Sequence, residues 1–355
     1  MYSPRFTISN KILASIGQIE AAKEVIENAP LVPSFEKDFL ADAIVRTVYH
    51  GTQIEGNDLT FTQAKKVIEG KDVIARQRDI QEVINYRQAV KLIDSLVKTN
   101  SKYSLEILTK IHATTVEKIV PEDKIGKIRT TQVVIKEEGT GKVVFTPPSF
   151  VDLPFLLEDF FVWLNSAAAL EIHPVLRAGI AHYVLVSIHP FVEGNGRTAR
   201  AFSLLVLLNE GYDIKRFFAL EEHFDKDLAG YYGAFFNVDK QAPNISERDL
   251  TPWLEYFTNV VAIELSKIKD KIKKLSVDSK LKVRIGQQVA LSERQMRLVE
   301  YLSDQGEAVM KDLASVIPMV SEDTILRDLK DLMKKGIIYK EGQTKGAKYV
   351  LASKK

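Results

Sequence analysis

The chain has 355 residues, which is long enough for two or three domains that each bury a core of their own. Hydrophobic residues make up 45% and charged residues 27%, as is typical of a soluble globular protein, and the net charge of +2 gives no whole-chain reason to expect nucleic acid or a membrane surface as a partner. The chain has no cysteine, which excludes disulfides, thiolate metal sites and cysteine nucleophiles. Because the sequence shows neither a signal-peptide pattern nor a membrane-spanning apolar run, we expect a cytoplasmic protein with no membrane partner.

Helical periodicity dominates the first 265 residues. Apolar residues recur three and four positions apart in residues 12–28, 36–49, 61–69, 78–97, 105–116, 153–164, 174–188, 197–208 and 220–236. Ser104 precedes the fifth of these segments and is predicted to cap its helix. Between residues 126 and 148 the pattern changes to two β-rich runs around a glycine-containing turn, which predicts a hairpin. We therefore expect a mainly α-helical core with one small β-hairpin.

The C-terminal part of the chain follows a different pattern. A long helix is predicted from residue 253 into a lysine-rich helical linker, residues 266–288, whose charges favour a solvated face. After it, three short helical patterns and a strand–turn–strand predict a winged-helix domain over residues 289–355.

Basic residues in the third of those short helices and in the wing could meet DNA phosphates, so a DNA-binding regulator is an alternative function. They are Arg327, Lys330, Lys334, Lys335, Lys345 and Lys348. The same helix carries four acidic residues, Glu322, Asp323, Asp328 and Asp331. Because strong nonspecific DNA binding needs a one-sided basic patch, a protein-docking or dimerising module fits this domain at least as well.

One segment, HPFVEGNGRTAR at residues 189–200, concentrates the chemically useful side chains. Pro190 ends the preceding helix, since the residue before a proline is forced out of the helical conformation. Gly194 and Gly196 then permit a tight loop whose backbone N–H groups converge where the next helix begins. A glycine-rich loop that enters a helix N-terminus is an anion site, and phosphate is the anion it most often holds.

The side chains of this segment suit the same interpretation. Arg197 and Arg200 lie three apart, on one face of the first helical turn, where both can hold phosphate oxygens. Glu193 suits a magnesium ion that bridges those phosphates, and Asn195 can donate to a phosphoryl oxygen. His189 has an ordinary pKa of about 6.5 and can accept a proton near neutrality. These residues predict a nucleotide polyphosphate site beside a general base, without distinguishing AMP transfer from phosphoryl transfer.

Three other interpretations compete for these residues. Residues 194–199, GNGRTA, match the dinucleotide fingerprint, but the residues before them continue a helical period and no βαβ pattern surrounds them. His182 and His189 could be core histidines, which fits His182 better because it lies within an apolar helix. The arginines could simply neutralise Glu193 and surface acids, which would leave the two glycines unexplained.

Every specified position of HPFVEGNGRTAR matches the motif H-x-F-x-[DE]-G-N-G-R-x-x-R, so the chain resembles the Fic family over roughly residues 10–260. The resemblance implies a mainly α Fic fold, with residues 101–265 as the catalytic core and the hairpin at 126–148 as a flap onto which a target segment adds as a strand. It implies a protein adenylyltransferase that moves AMP from Mg²⁺-bound ATP to a Ser, Thr or Tyr hydroxyl of a target protein. Removal of AMP, or phosphoryl transfer on the same fold, are the alternatives.

The resemblance also implies a role for each residue of the motif. His189 would be the catalytic base, Phe191 the buried anchor of the loop and Glu193 the metal ligand. The α-phosphate would be held by Gly194, Asn195 and Gly196, and the outer phosphates by Arg197 and Arg200. Tyr231 and Tyr232 lie where relatives place an adenine-side tyrosine, and Tyr232 is the candidate, although aromatic pairs on a helix face are more often part of the core.

Residues 43–56, within an N-terminal helical region of residues 1–100, resemble the family's inhibitory helix, whose pattern is [ST]-x-x-x-E-[GN]. The resemblance implies that Glu55 pairs with Arg200, and an arginine that holds a carboxylate cannot also hold the γ-phosphate. The position four before Glu55 is Gly51 instead of Ser or Thr, with Thr52 beside it, so the chain departs from the family pattern there. The sequence leaves the target protein and the oligomeric state, a homodimer included, open.

Overall fold

The computed structural model describes residues 2–29, 33–99, 102–136, 139–285, 291–318, 320–342 and 347–352. Lys345, one of the predicted wing residues, lies outside them. The chain divides into two compact units, residues 1–27 with 33–268 and residues 28–32 with 269–355. Each unit is described by itself.

The first unit is built from helices, which confirms the mainly α prediction. The helices are α1 Asn10–Glu27, α2 Pro33–Gln53, α3 Phe61–Ile68, α4 Gln77–Thr99, α5 Leu105–Val116, α6 Leu153–Leu164, α7 Ala167–Leu170, α8 Pro174–Ile188, α9 Asn195–Asn209, α10 Leu220–Lys226, α11 Leu228–Asp239 and α12 Thr251–Ile285, the last of which continues into the second unit. Short 3₁₀ turns lie at Glu122–Lys124, Ile214–Arg216 and Ile245–Glu247. Helices α6 and α8 begin and end at the predicted residues, and Ser104 caps α5 by accepting from the Ile107 N–H group.

Helix α8 lies at the centre of this unit and is buried around nearly its whole circumference. Its sequence explains this, because apolar and small residues occupy almost every position. The missing side chain of Gly179 lets α12 approach closely: Trp253 Nε1 donates to Gly179 O at 2.7 Å, and a Cβ there would lie 2.9 Å from Phe257 Cδ1. His182 is buried beside these rings with Nε2 2.9 Å from Tyr231 Oη, so it is a core histidine, as predicted.

The prediction of one helix over residues 220–236 is wrong. Helix α10 ends and α11 begins at Asp227, whose backbone angles of φ −128° and ψ 52° are not helical. The Asp227 carboxylate accepts from the Gly230 N–H group at 3.1 Å and so caps α11. A short acidic side chain can offer the backbone this alternative bond, which apolar periodicity does not reveal.

The predicted hairpin is confirmed, with strands shorter than the sequence suggests. Strands β1 (Ile135–Lys136) and β2 (Val143–Phe145) pair antiparallel, and Ile135 lies opposite Phe145. Val143 and Val144 are about half exposed. The hairpin therefore offers apolar side chains to solvent along β2.

The second unit follows the order α13 (Glu293–Gln305), β3 (Glu307–Val309), α14 (Met310–Val316), α15 (Glu322–Lys334), β4 (Ile338–Glu341) and β5 (Lys348–Leu351). The three strands form an antiparallel sheet in the order β3-β5-β4. Strand β3 was not predicted, because three residues are too few to show a period. Apolar residues from the helices and the sheet form the core, among them Leu298, Leu302, Leu313, Ile325, Leu329, Leu332 and Tyr349.

Helix α15 separates the charges of its later turns by face, while Glu322 and Asp323 in its first turn are exposed. Its two later acidic residues point toward α13, where Asp328 accepts from Arg294 Nε at 2.9 Å and Asp331 accepts from Gln295 Nε2 at 2.7 Å. Three basic residues, spaced three and four apart, are exposed on one side of the helix and are called the positive stripe below: Arg327, Lys330 and Lys334. None of the helices in the described ranges has a stretch both long and apolar enough to span a bilayer.

Candidate active site

His189 ends α8 in the left-handed conformation, with φ 52° and ψ 60°. Its Nδ1 lies 3.2 Å from the carbonyl oxygen of Val186, and since a carbonyl can only accept, Nδ1 carries the proton. Nε2 is then the unprotonated nitrogen. Burial lowers the pKa of His189 from its ordinary 6.5, so the ring is neutral at physiological pH and can accept a proton at Nε2.

The loop after His189 is held by its own side chains. Phe191 is fully buried, and the Asn195 carboxamide bonds the Phe191 backbone twice, accepting from its N–H and donating to its carbonyl, each at 2.9 Å. Asn195 was predicted to donate to a phosphoryl oxygen. The carboxamide oxygen and one of the two Nδ2 hydrogens bond to the N–H and C=O groups of Phe191, which leaves the second Nδ2 hydrogen for that donation. Asn195 therefore also shapes the loop.

His112, on α5, supports the loop from below and was not identified from the sequence. Its ring stacks on Phe191 with centroids 3.6 Å apart and planes within 3°. The Gly126 N–H group donates to Nδ1 at 3.1 Å, so Nε2 carries the proton and donates to Glu193 O at 3.0 Å. Burial lowers the pKa of His112 to about 4, which keeps this tautomer neutral and both bonds intact.

Arg129 joins the loop to the flap and was also missed from the sequence. Its Nε donates to His189 O at 2.8 Å, its Nη1 to Thr131 O at 3.0 Å and its Nη2 to Pro148 O at 2.6 Å. The Arg129 N–H group bonds Pro190 O at 2.9 Å. One buried guanidinium therefore fixes both ends of the hairpin relative to the backbone of His189.

The loop opens into the N-terminus of α9. Gly194, at the N-cap, has φ 78°, and a Cβ there would collide with Val116, so only glycine fits. The first N–H groups of a helix have no partner within it and carry partial positive charge, which makes this end of α9 an anion site. The Arg197 and Arg200 side chains are about 2% exposed, and within the described residues Arg197 Nε and Nη1 and Arg200 Nε have no hydrogen-bond partner. Such buried donors fit the oxygens of a polyphosphate.

Glu55 reaches this anion site from α2. The helix ends in a Schellman-type turn, in which Gly56 N bonds Gln53 O at 2.9 Å and Asn57 N bonds Thr52 O at 3.3 Å. Glu55 Oε1 then accepts from Arg200 Nη2 at 2.9 Å, and it lies so close to Gly196 that any side chain at that glycine would collide with it. Burial favours a raised pKa for Glu55, but Arg200 and Arg197 outweigh it and the pKa is lowered. A charged carboxylate therefore lies where an anion would bind.

The departure at Gly51 has a structural reason. Tyr86 packs so tightly on Gly51 that any side chain there would collide with its ring, and the Tyr86 hydroxyl donates to Glu221 Oε1 at 3.0 Å. The neighbouring Thr52 does not supply the missing hydroxyl, because its Oγ1 bonds carbonyls within its own helix. Arg200 Nη2 instead donates to Gly51 O at 2.8 Å. A main-chain carbonyl thus makes a contact to Arg200 at the position of the absent hydroxyl.

Glu193, the predicted metal ligand, lies at the rim of the loop with 36% of its side chain exposed. Its Oε1 contacts Arg78 Nη2 and lies 3.6 Å from Arg197 Nη2. Among the described residues no group of three or more potential ligands gathers around it. A single partly exposed carboxylate nevertheless fits Mg²⁺, which commonly binds through one or two carboxylates, substrate phosphates and waters.

The two tyrosines on α11 differ in their surroundings. Tyr231 is 2% exposed, while 52% of Tyr232 faces solvent. Partial burial and the nearby Glu55 charge raise the pKa of Tyr232. Tyr231 is therefore the core residue of the pair, and Tyr232 lies at the surface beside the anion site. The structure brings the predicted residues of the loop, the two arginines, Glu55 and Tyr232 into one region.

Comparison with known proteins gives the family of the central segment. Residues 102–207 match the Fic/DOC family. This Fic segment runs from the start of α5 to near the end of α9 and includes the flap and the loop. Glu55 and Arg78 lie outside it.

Several proteins similar to this chain carry a common name. The protein adenylyltransferase fic-1 of Caenorhabditis elegans is 36% identical over 169 residues, which are 46% of this chain and 32% of that protein. The protein adenylyltransferase Fic of Drosophila grimshawi is 31% identical over 208 residues, 58% of this chain and 41% of that protein. The chain thus spans well under half the length of these curated relatives.

Solved structures share the fold. A Fic family protein from Desulfovibrio desulfuricans G20 aligns over 100% of this chain and 99% of its own, with a TM-score of 0.65 and 22% identity. A structure of Fic-1 from C. elegans aligns over 74% of each chain, with a TM-score of 0.57 and 25% identity. The Fic fold predicted from the motif is therefore confirmed.

Proposed function

We propose that the protein is an adenylyltransferase that moves AMP from ATP to a Ser, Thr or Tyr hydroxyl of a protein. The observation that carries this proposal is the anion site at the N-terminus of α9, which lies one loop away from a neutral His189. An anion site with two buried arginines suits a polyphosphate, and a neutral imidazole suits an incoming hydroxyl. The name of the similar proteins, protein adenylyltransferase, supports AMP as the transferred group.

In the proposed reaction His189 Nε2 takes the proton of the target hydroxyl as its oxygen attacks the α-phosphorus of ATP. The new P–O bond forms as the bond from the α-phosphorus to the bridging oxygen of the β-phosphate breaks, and pyrophosphate leaves. The N–H groups at Gly194 and Gly196 hold the α-phosphate, and Arg197 and Arg200 hold the outer phosphates, so the positive groups are in place before charge moves. Tyr232 lines the adenine side.

Magnesium fits this scheme through Glu193, whose carboxylate would hold an ion that also binds phosphate oxygens. The ion, when bound, supplies charge neutralisation for the departing pyrophosphate. The loop holds Glu193 in position for this ion. His112 and Phe191 fix the backbone at Glu193, so its carboxylate stays at the phosphate end of the site.

We further infer that Glu55 inhibits the enzyme. The Glu55 carboxylate binds the Arg200 guanidinium that would otherwise bind the γ-phosphate. Because the carboxylate and the γ-phosphate are both negatively charged, they cannot bind there together. Arg200 also bonds Gly51 O, which lies on the same helix end, so the arginine and the inhibitory turn are positioned together. The target segment is proposed to add to the flap edge, which Arg129 holds at a fixed distance from His189.

A second candidate function concerns the second unit, whose helix and strand order is the one expected of a winged helix. The positive stripe on α15 supports DNA as its partner, because Asp328 and Asp331 bond to α13 and the three basic side chains are exposed, although Glu322 and Asp323 in the first turn of the helix are exposed as well. Duplex DNA should bind the full chain with an affinity that falls as the salt concentration rises. Lys330→Gln should reduce the slope of log affinity against log salt concentration by about one. Fluorescence anisotropy at several salt concentrations measures both. Salt-independent or undetectable binding would leave a protein-docking function for this unit.

The reaction itself is tested by the phosphate that is transferred. Purified Glu55→Gly protein would be incubated with Mg²⁺ and ATP labelled at either the α- or the γ-phosphate, and label would be followed into the protein and into a lysate. We expect covalent label only from the α-position. Label from the γ-position would mean phosphoryl transfer with the nucleotide reversed. No label from either would contradict AMP transfer and favour the removal of AMP.

A further inference from the structure

We propose that Arg78, on the first turn of α4, is a metal-loading residue: it holds the Glu193 carboxylate in the resting protein and releases it when a divalent cation binds with the nucleotide. This inference rests on the proposed function, in which Glu193 binds the metal. It adds a residue from outside the Fic segment to the site.

Arg78 belongs to a ring of four alternating charges. Its Nη2 contacts Glu193 Oε1, and its Nε donates to Glu82 Oε1 at 3.2 Å. Arg197 closes the ring, with Nη1 3.4 Å from Glu82 Oε1 and Nη2 3.6 Å from Glu193 Oε1. The two arginines and two glutamates sum to zero charge, so the resting ring is balanced without any cation.

The four members differ in how easily they can move. The side chains of Glu82 and Arg197 are 4% and 2% exposed, and Glu82 also accepts from Asn57 Nδ2 at 2.9 Å, so this half of the ring is fixed. Arg78 is 57% exposed and Glu193 36% exposed. Water can solvate a guanidinium that leaves at this exposed side, whereas a buried one would lose its partners. The Arg78–Glu193 contact is therefore the one that opens.

A metal ion and the Arg78 guanidinium compete for the Glu193 carboxylate. Mg²⁺ requires oxygen ligands in near-ideal octahedral geometry, and a guanidinium on the same oxygen occupies ligand space and repels the cation. A divalent ion also adds two positive charges beside two arginines. The ion is accommodated when the polyphosphate supplies compensating negative charge, which couples metal binding to nucleotide binding. Arg78 keeps its bond to Glu82 after it leaves Glu193.

Direct cation binding tests this proposal. Mn²⁺, which electron paramagnetic resonance detects when free, would be titrated into the full chain with an ATP analogue that carries a methylene bridge between its α- and β-phosphorus atoms. All proteins carry Glu55→Gly so that the nucleotide site is open. Arg78→Gln is compared with Arg76→Gln, a matched control whose arginine is 63% exposed and pairs with Asp58 and Asp79. Glu193→Gln reports on the metal ligand, and unfolding temperatures verify that each variant folds.

Arg78→Gln should bind Mn²⁺ about two- to fivefold more tightly, the range that competition from an exposed ion pair can produce. Arg76→Gln should leave the affinity unchanged, and Glu193→Gln should weaken it. An unchanged or weaker affinity in Arg78→Gln, with Glu193→Gln weakened, overturns the proposal alone. An unchanged affinity in Glu193→Gln removes the metal ligand from the proposed function, and this proposal with it.

Discussion

Glu55→Gly is expected to transfer AMP about tenfold faster than the wild-type protein, or more. The substitution removes the carboxylate that holds Arg200 and restores a guanidinium to the outer phosphates. A tenfold gain requires a difference of about 1.4 kcal/mol between the two states, which a charge pair with one buried partner can supply. Initial rates of label transfer at several ATP concentrations measure the effect.

Matched variants distinguish the effect of releasing the Arg200 guanidinium from a nonspecific effect of removing a glutamate. Glu69→Gly removes a glutamate that pairs with Lys71 at the end of α3, and its rate should equal that of the wild type. Glu55→Asp keeps the negative charge but shortens the side chain by one methylene, so its rate should lie between those of the wild type and Glu55→Gly. Equal turnover and equal ATP affinity in wild type and Glu55→Gly would show that the Glu55–Arg200 pair does not restrain the enzyme.

His189→Asn, in the Glu55→Gly background, is expected to lose about 10²- to 10⁴-fold in transfer rate, the usual contribution of a general base. Asparagine suits the test because it tolerates the left-handed backbone that residue 189 adopts, so the loop should keep its shape. His189→Ala should lose a similar factor. ATP affinity should stay within about twofold in both variants, since the phosphates are held by other groups. Retained turnover would remove His189 as the base.

We expect the acid limb of the pH–rate profile of the same reaction to shift in a definite direction. Because burial lowers the pKa of His189, the acid limb of kcat/KM should lie below pH 6.5. The nearby Glu55 charge raises that pKa, so Glu55→Gly should move the limb to still lower pH. The Glu55–Arg200 pair persists above the lowered pKa of Glu55 and is lost only as pH falls through it, so mild acid should not release the inhibition. An acid limb above pH 6.5 would contradict the neutral His189.

The sequence predicted those parts of the site that lie close together along the chain. The loop of residues 189–196 and the first turn of α9 place His189, Glu193 and the two arginines through local geometry, since Pro190 ends the preceding helix and the glycines permit the tight loop that follows. The bounds of α6 and α8 were predicted to the residue. Local signals therefore sufficed where local forces decide the structure.

The parts of the site that depend on tertiary packing could not be predicted. His112, Arg129 and Arg78 come from three separate segments, and nothing in their sequence neighbourhoods distinguishes them from ordinary helix or loop residues. Each becomes part of the site because a distant backbone or carboxylate lies opposite it. The additional role of Asn195 in shaping the loop was missed for the same reason, because only the folded loop brings the N–H and C=O groups of Phe191 to its side chain.

Residue counts do not show how the fold distributes charged residues between the faces of a helix. The acidic and basic residues of α15 nearly cancel in the sequence, yet Asp328 and Asp331 turn toward α13 while the positive stripe faces solvent. At Gly51 the sequence showed only that a hydroxyl is missing. The structure explains the substitution, because the Tyr86 ring fills the space that a side chain would need.

The most direct test of Glu55 as an occupant of the outer-phosphate site is a calorimetric comparison of nucleotide affinities. Wild type and Glu55→Gly would each be titrated with ATP and with AMP in the presence of Mg²⁺. Because AMP has no outer phosphates for Arg200 to hold, we expect Glu55→Gly to gain about tenfold in ATP affinity and little in AMP affinity. Equal gains for both nucleotides, or none for ATP, would contradict the assignment of Arg200 to the outer phosphates and of Glu55 as their competitor.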